Sequence, residues 1–162
     1  MKKSLMIIAF LFTALVAKAQ FEKGTWLLNP SVTGLDLSYS SAEKTQFGFQ
    51  VQGGAFLEDN IALLVHIGAD WTDPIDVYSL GVGGRYYFDR TGVYMGAGLK
   101  MKKWDLKGGV EEDDYAFGVE AGYAYFLSKT VTIEPAVYYD LSFNHTSEYS
   151  KLGFKIGFGL YF

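Results

Sequence analysis

The chain has 162 residues, a formal net charge of −4 and no cysteine. This length fits one ordinary domain, and the acidic balance argues against a general nucleic-acid-binding surface. The absence of cysteine excludes disulfide bonds, thiolate metal sites and a lipidated N-terminal cysteine.

Residues 1–19 have the pattern of a secretory signal peptide. Lys2 and Lys3 supply the positive region, an apolar run extends from Leu5 to Ala17, and 17–19 reads Ala-Lys-Ala, a small-x-small cleavage site. The apolar run is shorter than the roughly 20 residues that a membrane-spanning helix needs. We therefore expect cleavage after residue 19 and one folded domain over residues 20–162. An uncleaved N-terminal anchor is the alternative.

Beyond the signal, apolar residues recur with a period of two, which is typical of strands that have unlike faces. In the clearest segment, 61–71, the odd positions are apolar and end in Trp71, whereas His66 and Asp70 lie on the even positions. The pattern predicts an all-β fold with eight strands, each about 11 residues long, the length that a tilted strand needs to cross a bilayer. The predicted strands lie near 25–39, 45–57, 61–71, 77–88, 93–103, 115–127, 131–143 and 152–162.

The connections between these strands alternate in length. Segments 58–60, 89–92 and 128–130 are short polar turns, whereas 40–44, 72–76, 104–114 and 144–151 are longer. Short turns at one end and longer loops at the other are typical of an antiparallel up-and-down outer-membrane barrel. The first strand is ambiguous, because Trp26 and Leu28 share a parity with Asp36. A bulge near Asn29 and Pro30 would restore the alternation.

The two faces of the predicted strands differ in bulk. The apolar face carries more large side chains than the interior of an eight-stranded barrel can hold. The other face carries twelve of the nineteen glycines, which suits a narrow lumen that long polar side chains must cross. We therefore expect the apolar face to contact lipid. A soluble barrel with its apolar face inward is the alternative.

Aromatic residues gather at both ends of the apolar face, as they do at the two interfaces of a bilayer. The predicted girdle at the loop end consists of Tyr39, Trp71, Tyr78, Tyr115 and Phe143. The predicted girdle at the turn end consists of Tyr86, Phe88, Tyr125 and Phe162.

The chain resembles the small outer-membrane barrels of the OmpX and OmpA-membrane-domain type in its signal, its strand count and its closing run 152–162. In that run, Phe158, Leu160 and the C-terminal Phe162 resemble the signal that the outer-membrane assembly machinery recognises. The resemblance implies an exported monomer in the cell outer membrane, in contact with lipid, lipopolysaccharide and that machinery. It does not name an activity, because barrels of this type include anchors, adhesins and enzymes.

The predicted lumen face is charged. It carries Arg85, Lys100, Lys102 and Lys155 against Asp36, Asp70, Glu120, Glu134 and Asp140. Buried charges persist when they are paired, and symmetric folding of the hairpins places Asp140 opposite Lys155 and Lys100 opposite Glu120. We predict a polar plug, with a narrow ion path through rearrangeable pairs as the alternative. No catalytic residue, metal site or cofactor is predicted, and a lone His66 fits a hydrogen-bonded interior residue better than a metal ligand.

Two loop-end segments suggest surface chemistry. His145 and Ser147 resemble a fragment of the lipid A deacylase barrels, but the following strand lacks the carboxylate that orients the histidine there. Lys102, Lys103 and Lys107 could hold lipopolysaccharide phosphates, although a solvated hairpin tip is the simpler interpretation. The predicted function is therefore a structural or surface-interacting barrel, ahead of a narrow pore and a lipid A-modifying enzyme.

Overall fold

The computed structural model describes residues 21–33, 47–72, 75–106, 110–143 and 150–162. The strands in these ranges are β1 Trp26–Thr33, β2 Phe47–Glu58, β3 Ile61–Thr72, β4 Ile75–Tyr87, β5 Val93–Leu106, β6 Val110–Tyr123, β7 Tyr125–Phe126, β8 Val131–Ser142 and β9 Lys151–Tyr161. In this part of the chain, no helix is long and apolar enough to cross a membrane. The predicted signal peptide, Asp36, Tyr39, Lys107, His145 and Ser147 lie outside the described residues.

Every strand pairs antiparallel with its neighbours, and the sheet closes on itself. The order around the sheet is β6-β5-β4-β3-β2-β1-β9-β8-β7, and β6 also pairs with β8. The two-residue β7 continues β6 beyond Ala124 and pairs with the same strand, β8. Together β6 and β7 occupy one place in the barrel, which therefore has eight strands. The predicted up-and-down antiparallel fold is confirmed.

The loop-end hairpin of β5 and β6 is longer than predicted. Residues 104–106 and 110–114, which the sequence assigns to a loop, belong to the two strands, and their ladder extends to Leu106 and Val110. The charged residues of this segment suggest a loop, but in the structure opposite charges face each other across the ladder and the strands continue. Lys102 pairs with Asp114, and the neighbouring Lys103 pairs with Asp113. Such cross-strand pairs stabilise a sheet outside an apolar environment.

The predicted bulge in the first strand is wrong. The ladder of β1 and β2 keeps one register from Trp26 to Thr33. Toward β9, only Asn29 and Pro30 leave the ladder, and the register is the same on both sides of them. Proline has no backbone N–H to donate, so a gap forms without a shift. Without a bulge, Trp26 and Leu28 face outward and are 59% and 38% exposed, whereas Leu27 between them points into the barrel and is buried.

The apolar face points outward, as the volume argument predicts. Large side chains such as Ile67, Leu80 and Val82 are 61%, 57% and 58% exposed around the barrel wall, whereas Arg85 and Glu134 are 2% and 1% exposed inside it. In a soluble protein, by contrast, large apolar side chains form the core and most charged side chains lie at the surface. The chemistry of the chain is therefore concentrated in the lumen.

Candidate functional site: the lumen charge network

Arg85 of β4 lies at the centre of the lumen and joins two carboxylates. Its Nε donates to Glu120 Oε1 at 2.9 Å and its Nη1 donates to Glu134 Oε2 at 2.9 Å. Nη2 lies 2.7 Å from Glu120 Oε1 and also donates to Gln52 Oε1. The guanidinium carbon stands 4.1 Å from the centre of the Tyr94 ring. A planar guanidinium suits this place because its donors lie in a fixed fork.

Three lysines complete the network. Lys155 of β9 donates to Glu120 Oε2. Nearer the loop end, Lys100 Nζ lies 2.7 Å from Asp140 Oδ1 and Lys102 Nζ lies 3.2 Å from Asp140 Oδ2. The side chains in these pairs are at most 16% exposed. The buried charges are therefore paired, which is the condition under which they persist in an apolar surrounding.

The two predicted ion pairs are wrong, although all four residues belong to the network. Lys100 bonds to Asp140 instead of Glu120, and Lys155 bonds to Glu120 instead of Asp140. In the ladders, Lys100 faces Ala116 and Lys155 faces Ala136. The hairpin registers thus differ from those that symmetric folding assumed. Each real pair also reaches past one strand of the wall, which a ladder-based argument does not consider.

Glycines on the intervening strands make room for two of the ion pairs, Arg85–Glu120 and Lys100–Asp140. Gly96 of β5 pairs with Arg85 on one side and Glu120 on the other, and a Cβ on it would lie 2.8 Å from Glu120 Cγ. A Cβ on Gly118 of β6 would lie 2.7 Å from Asp140 Oδ1 and 3.2 Å from Lys100 Cε. The distances of 2.8 and 2.7 Å are shorter than real Cβ atoms show, so a side chain at either position would displace the ion pair. The missing side chains therefore define the paths along which the ion pairs cross the wall.

A glycine also makes room for a hydrogen bond to Glu134. Asn29 Nδ2 of β1 donates to Glu134 Oε2 at 2.6 Å, and the strand between them carries Gly157. A Cβ on this glycine would overlap the Asn29 side chain. Thr132 and Tyr161 donate to the other oxygen, Oε1, at 2.8 and 2.6 Å. Glu134 is therefore fully hydrogen-bonded as well as ion-paired.

An aromatic plug closes the turn end of the lumen. Its members are Phe21, Phe56, Tyr87, Tyr94, Phe126 and Tyr161. Phe21 precedes β1 and is 4% exposed, with its ring stacked 4.2 Å from the Tyr87 ring. The backbone of the same segment is fixed by Asn60, whose N–H donates to the Phe21 carbonyl at 2.7 Å. The plug is thus partly built from a residue outside the barrel strands.

The tyrosines connect the aromatic plug to the charges above it. Arg85 donates to the Tyr87 hydroxyl at 3.0 Å, and the hydroxyls of Tyr87 and Tyr161 lie 3.2 Å apart. Sequence reasoning missed the plug because Phe21 lies outside every predicted strand. The sequence signal that was available is the inward parity of Phe56, Tyr87 and Tyr161, three aromatic residues on a face that carries mostly polar residues and glycines.

The remaining predicted residues lie toward the ends of the strands. Asp70 is partly exposed near the loop end of β3. Trp71, Tyr78, Tyr115, Phe143, Tyr86, Phe88 and Phe162 are 39–72% exposed at the strand ends, and Tyr125 is partly buried. In the closing strand, Phe158 is exposed and Leu160 is partly exposed.

Lys102 does not lie on the outer surface as a ligand for lipopolysaccharide phosphates would. Its ammonium bonds to Asp140 inside the barrel. Asp114 also points inward and accepts from Ser142 Oγ at 2.8 Å. The parity that Lys102 shares with Lys100, which placed it on the predicted lumen face, already argues against that role, and only Lys103 points outward. Of the predicted basic cluster, Lys103 alone is exposed in the described ranges.

A cavity of about 50 Å³ lies in the middle of the lumen. Its polar lining comes from Gln52, His66, Lys100, Glu120 and Tyr138, and its opposite wall is rich in glycines of β4, β5 and β6. His66 is 5% exposed and its Nε2 lies 3.2 Å from Ser79 Oγ, while its Nδ1 has no hydrogen-bond partner. Among the described residues, no group of three metal-binding side chains occurs.

Neither a protein-family model nor a curated protein sequence matches the chain. Solved structures do match its fold. Neisserial surface protein A superposes with a TM-score of 0.67 at 19% identity, over 86% of this chain and 97% of that one. The N-terminal β-barrel domain of Pseudomonas aeruginosa OprF gives 0.64 at 16%, over 86% and 98%. Ail, the attachment invasion locus protein of Yersinia pestis, gives 0.52 at 13%, over 86% and 98%. The resemblance to small eight-stranded outer-membrane barrels is thereby confirmed at the level of fold.

Proposed function

We propose that this chain is an integral protein of the bacterial outer membrane whose lumen is closed to solutes. In this proposal it acts as a structural or surface-interacting barrel rather than as a pore or an enzyme. The observation that carries the proposal is the inverted burial, with paired charges inside and a belt of large apolar side chains outside. In water such a belt would far exceed the apolar patches that soluble monomers expose, whereas a bilayer covers it.

Two closed layers support the absence of conduction. In the middle, Arg85 and its partners form ion pairs whose side chains are almost fully buried. At the turn end, the aromatic plug adds an apolar layer in which Tyr87 and Phe21 are 0% and 4% exposed. An ion would have to break the pairs and then cross the plug without water, and each step is costly.

The experiment is to refold the protein into a planar bilayer and record single-channel currents. Insertion is established separately by the heat-dependent gel shift of folded barrels. A variant with a charge in the lipid-facing belt, Val65→Asp, is the control that should insert less efficiently than the wild type. We expect inserted wild-type protein to be electrically silent. Discrete openings of the wild type would refute the closed lumen and favour the narrow pore, for which the central cavity is the supporting observation.

The proposal assigns no reaction to the chain, and this point has its own test. His145 and Ser147 are the residues that the deacylase resemblance singles out. We expect expression of the chain to leave the mass of the host's lipid A unchanged. A loss of one acyl chain that disappears with His145→Ala would instead establish an enzyme. The surface partners we propose are lipid and lipopolysaccharide around a monomer, after insertion by the outer-membrane assembly machinery.

A further inference from the structure

One member of the aromatic plug is not held by a strand. The other members lie on barrel strands, whereas Phe21 precedes β1. The Phe21 ring nevertheless contacts most of the plug, with ring centres 4.2 Å from Tyr87, 5.6 Å from Phe126, 5.7 Å from Tyr161 and 5.8 Å from Phe56. The plug is therefore completed by a residue of segment 21–23, which leads into the barrel.

Few interactions hold the backbone of this segment within the described part of the chain. The Asn60 N–H donates to the Phe21 carbonyl at 2.7 Å, and the Lys23 N–H donates to Asp59 Oδ1 at 2.9 Å. Lys23 Nζ also lies 2.7 Å from Glu58 Oε1, but these two side chains are 64% and 66% exposed. An ion pair that is so exposed contributes little. All three partners lie at the end of β2 and in the turn after it, so the segment is tied to one corner of the barrel.

Gly24, the next residue, has the properties of a hinge. Its φ is +89°, a conformation that glycine adopts without strain, and a Cβ on it would meet nothing within 4 Å. From this point the chain joins the sheet. The Gly24 N–H donates to the Phe56 carbonyl at 2.9 Å, and the Phe56 N–H donates to the Thr25 carbonyl at 2.9 Å. Rotation at Gly24 therefore moves residues 21–23 and leaves the ladder of β1 and β2 intact.

We propose that residues 21–23 form a stopper, which swings out at Gly24 while the barrel stays folded. Segments with few buried contacts and exposed hydrogen bonds open locally, at a lower free energy than global unfolding. Opening breaks the bonds to Asn60 and Asp59 and withdraws one ring, so the burial of Phe21 is what keeps the stopper closed.

An open stopper uncovers the turn end of the lumen. The rings of Tyr87 and Tyr161 lose their cover, and behind them lie Arg85 and Glu134, to which their hydroxyls are bonded. The ion pairs of Arg85 stay in place, so the space that opens is a blind pocket and not a channel. The stopper thus goes beyond the proposed function, because one end of the lumen opens in a barrel that does not conduct.

Amide hydrogen exchange tests the stopper at neighbouring residues. The Lys23 and Asn60 N–H groups bond across the gap that opening creates, whereas the Gly24 and Phe56 N–H groups bond within the ladder that stays closed. Exchange is measured by NMR on the chain that begins at residue 20, the predicted mature form, folded in lipid nanodiscs. We expect the first two amides to share one opening equilibrium and to be at least about tenfold less protected than the other two.

A substitution in the ring tests what keeps the stopper closed. Phe21→Ala should lower the protection of the Lys23 and Asn60 amides about a hundredfold or more, because the buried ring is lost. The Gly24 amide should change by less than about threefold. Phe88→Ala is the matched control, since Phe88 lies at the same end of the barrel but is 39% exposed on the outer face. We expect it to leave the protection of these amides within about twofold of the wild type.

Thiol labelling tests the opening with the Phe21 ring in place, because the chain has no cysteine of its own. Ala124→Cys puts a thiol in the buried cluster that contains Phe21, and Ala116→Cys puts one outside that cluster. The two alanines are 2% and 1% exposed. We expect a small charged thiol reagent to modify Ala124→Cys at least about a hundredfold faster, at a rate that low urea does not change. Modification of Ala116→Cys should accelerate with urea, because it needs an opening that exposes more surface.

Equal protection of the Lys23 and Gly24 amides would overturn the stopper, as would labelling of both cysteines with the same urea dependence. Unchanged exchange in Phe21→Ala would overturn it as well. The closed lumen would survive each of these results, because it is tested by conductance. Discrete channel openings would refute the proposed function and leave the stopper intact.

Discussion

Replacing Arg85 by methionine removes the cation at the centre of the lumen and keeps an unbranched side chain of similar length. The Arg85 side chain is 1% exposed and donates to Glu120, Glu134, Gln52 and Tyr87. After the change, Glu120 keeps Lys155, but Glu134 keeps only neutral donors. Removing one partner of a buried ion pair costs about 3–5 kcal/mol, because the remaining charge stays buried without compensation. We expect Arg85→Met to lower the free energy of unfolding by that amount.

A second substitution separates the buried charge from other effects of the change. In Arg85→Met/Glu134→Gln the uncompensated carboxylate is gone, and an amide can still bond to Asn29, Thr132 and Tyr161. We expect the double variant to be more stable than Arg85→Met alone, with a coupling free energy of about 1–3 kcal/mol. Arg85→Lys is the conservative control. It keeps the charge but cannot form the fork of bonds to both carboxylates, so it should lie between the wild type and methionine.

The measurement is reversible urea unfolding in lipid vesicles, followed by fluorescence of the three tryptophans and by the folded band on a gel. A loss below about 1 kcal/mol for Arg85→Met would equal that of an exposed ion pair and would refute the buried network. Strict additivity in the double variant would refute the coupling between Arg85 and Glu134.

Three further changes test other layers of the barrel with the same unfolding assay. Phe21→Ala empties the centre of the aromatic plug and should cost about 3–5 kcal/mol; full stability would show that Phe21 does not seal the turn end. Gly118→Val places atoms on the Lys100–Asp140 path and should cost about 1–3 kcal/mol, whereas the lipid-facing Ala121→Val should stay within about 0.5 kcal/mol. Val65→Arg in the lipid-facing belt should cost about 2–4 kcal/mol, against about 0–1 kcal/mol for Thr130→Arg in a turn, and equal costs would contradict a bilayer around the belt.

Most of the fold was predictable because the information is local. Alternation along a strand assigns each residue to one of two faces, and the bulk of the faces tells which one points outward. The prediction from alternation failed in two places, where packing in the lumen or cross-strand charge pairs decided the structure instead. In β1 the inward Leu27 is buried in the same cluster as the aromatic plug and so breaks the polar pattern of the inward face. In the hairpin of β5 and β6, cross-strand charges such as Lys103 and Asp113 continue the sheet where polarity suggested a loop.

The residues that face the lumen can likewise be predicted from local alternation, but the ion pairs that they form cannot. Parity alone places Arg85, Lys100, Glu120, Asp140 and Lys155 inside. Which of them touch depends on the register of three successive strands and on the tilt of the barrel, which no single hairpin reveals. The hydrogen-bond partner in the ladder and the ion-pair partner are therefore different residues.

Glycine positions carry the missing information once the register is known. Gly96 and Gly118 occupy the points at which the Arg85–Glu120 and Lys100–Asp140 ion pairs pass over a strand, and Gly157 occupies the point at which the Asn29–Glu134 hydrogen bond does so. A sequence-based search should therefore look for opposite charges two strands apart with a glycine between them, instead of opposite charges that face each other in a hairpin. Applied to Arg85, Gly96 and Glu120, this criterion selects the central pair of the barrel. Gly96, Gly118 and the charged side chains that pass over them thus form one pattern, in which the position of each glycine is explained by the ion pair above it.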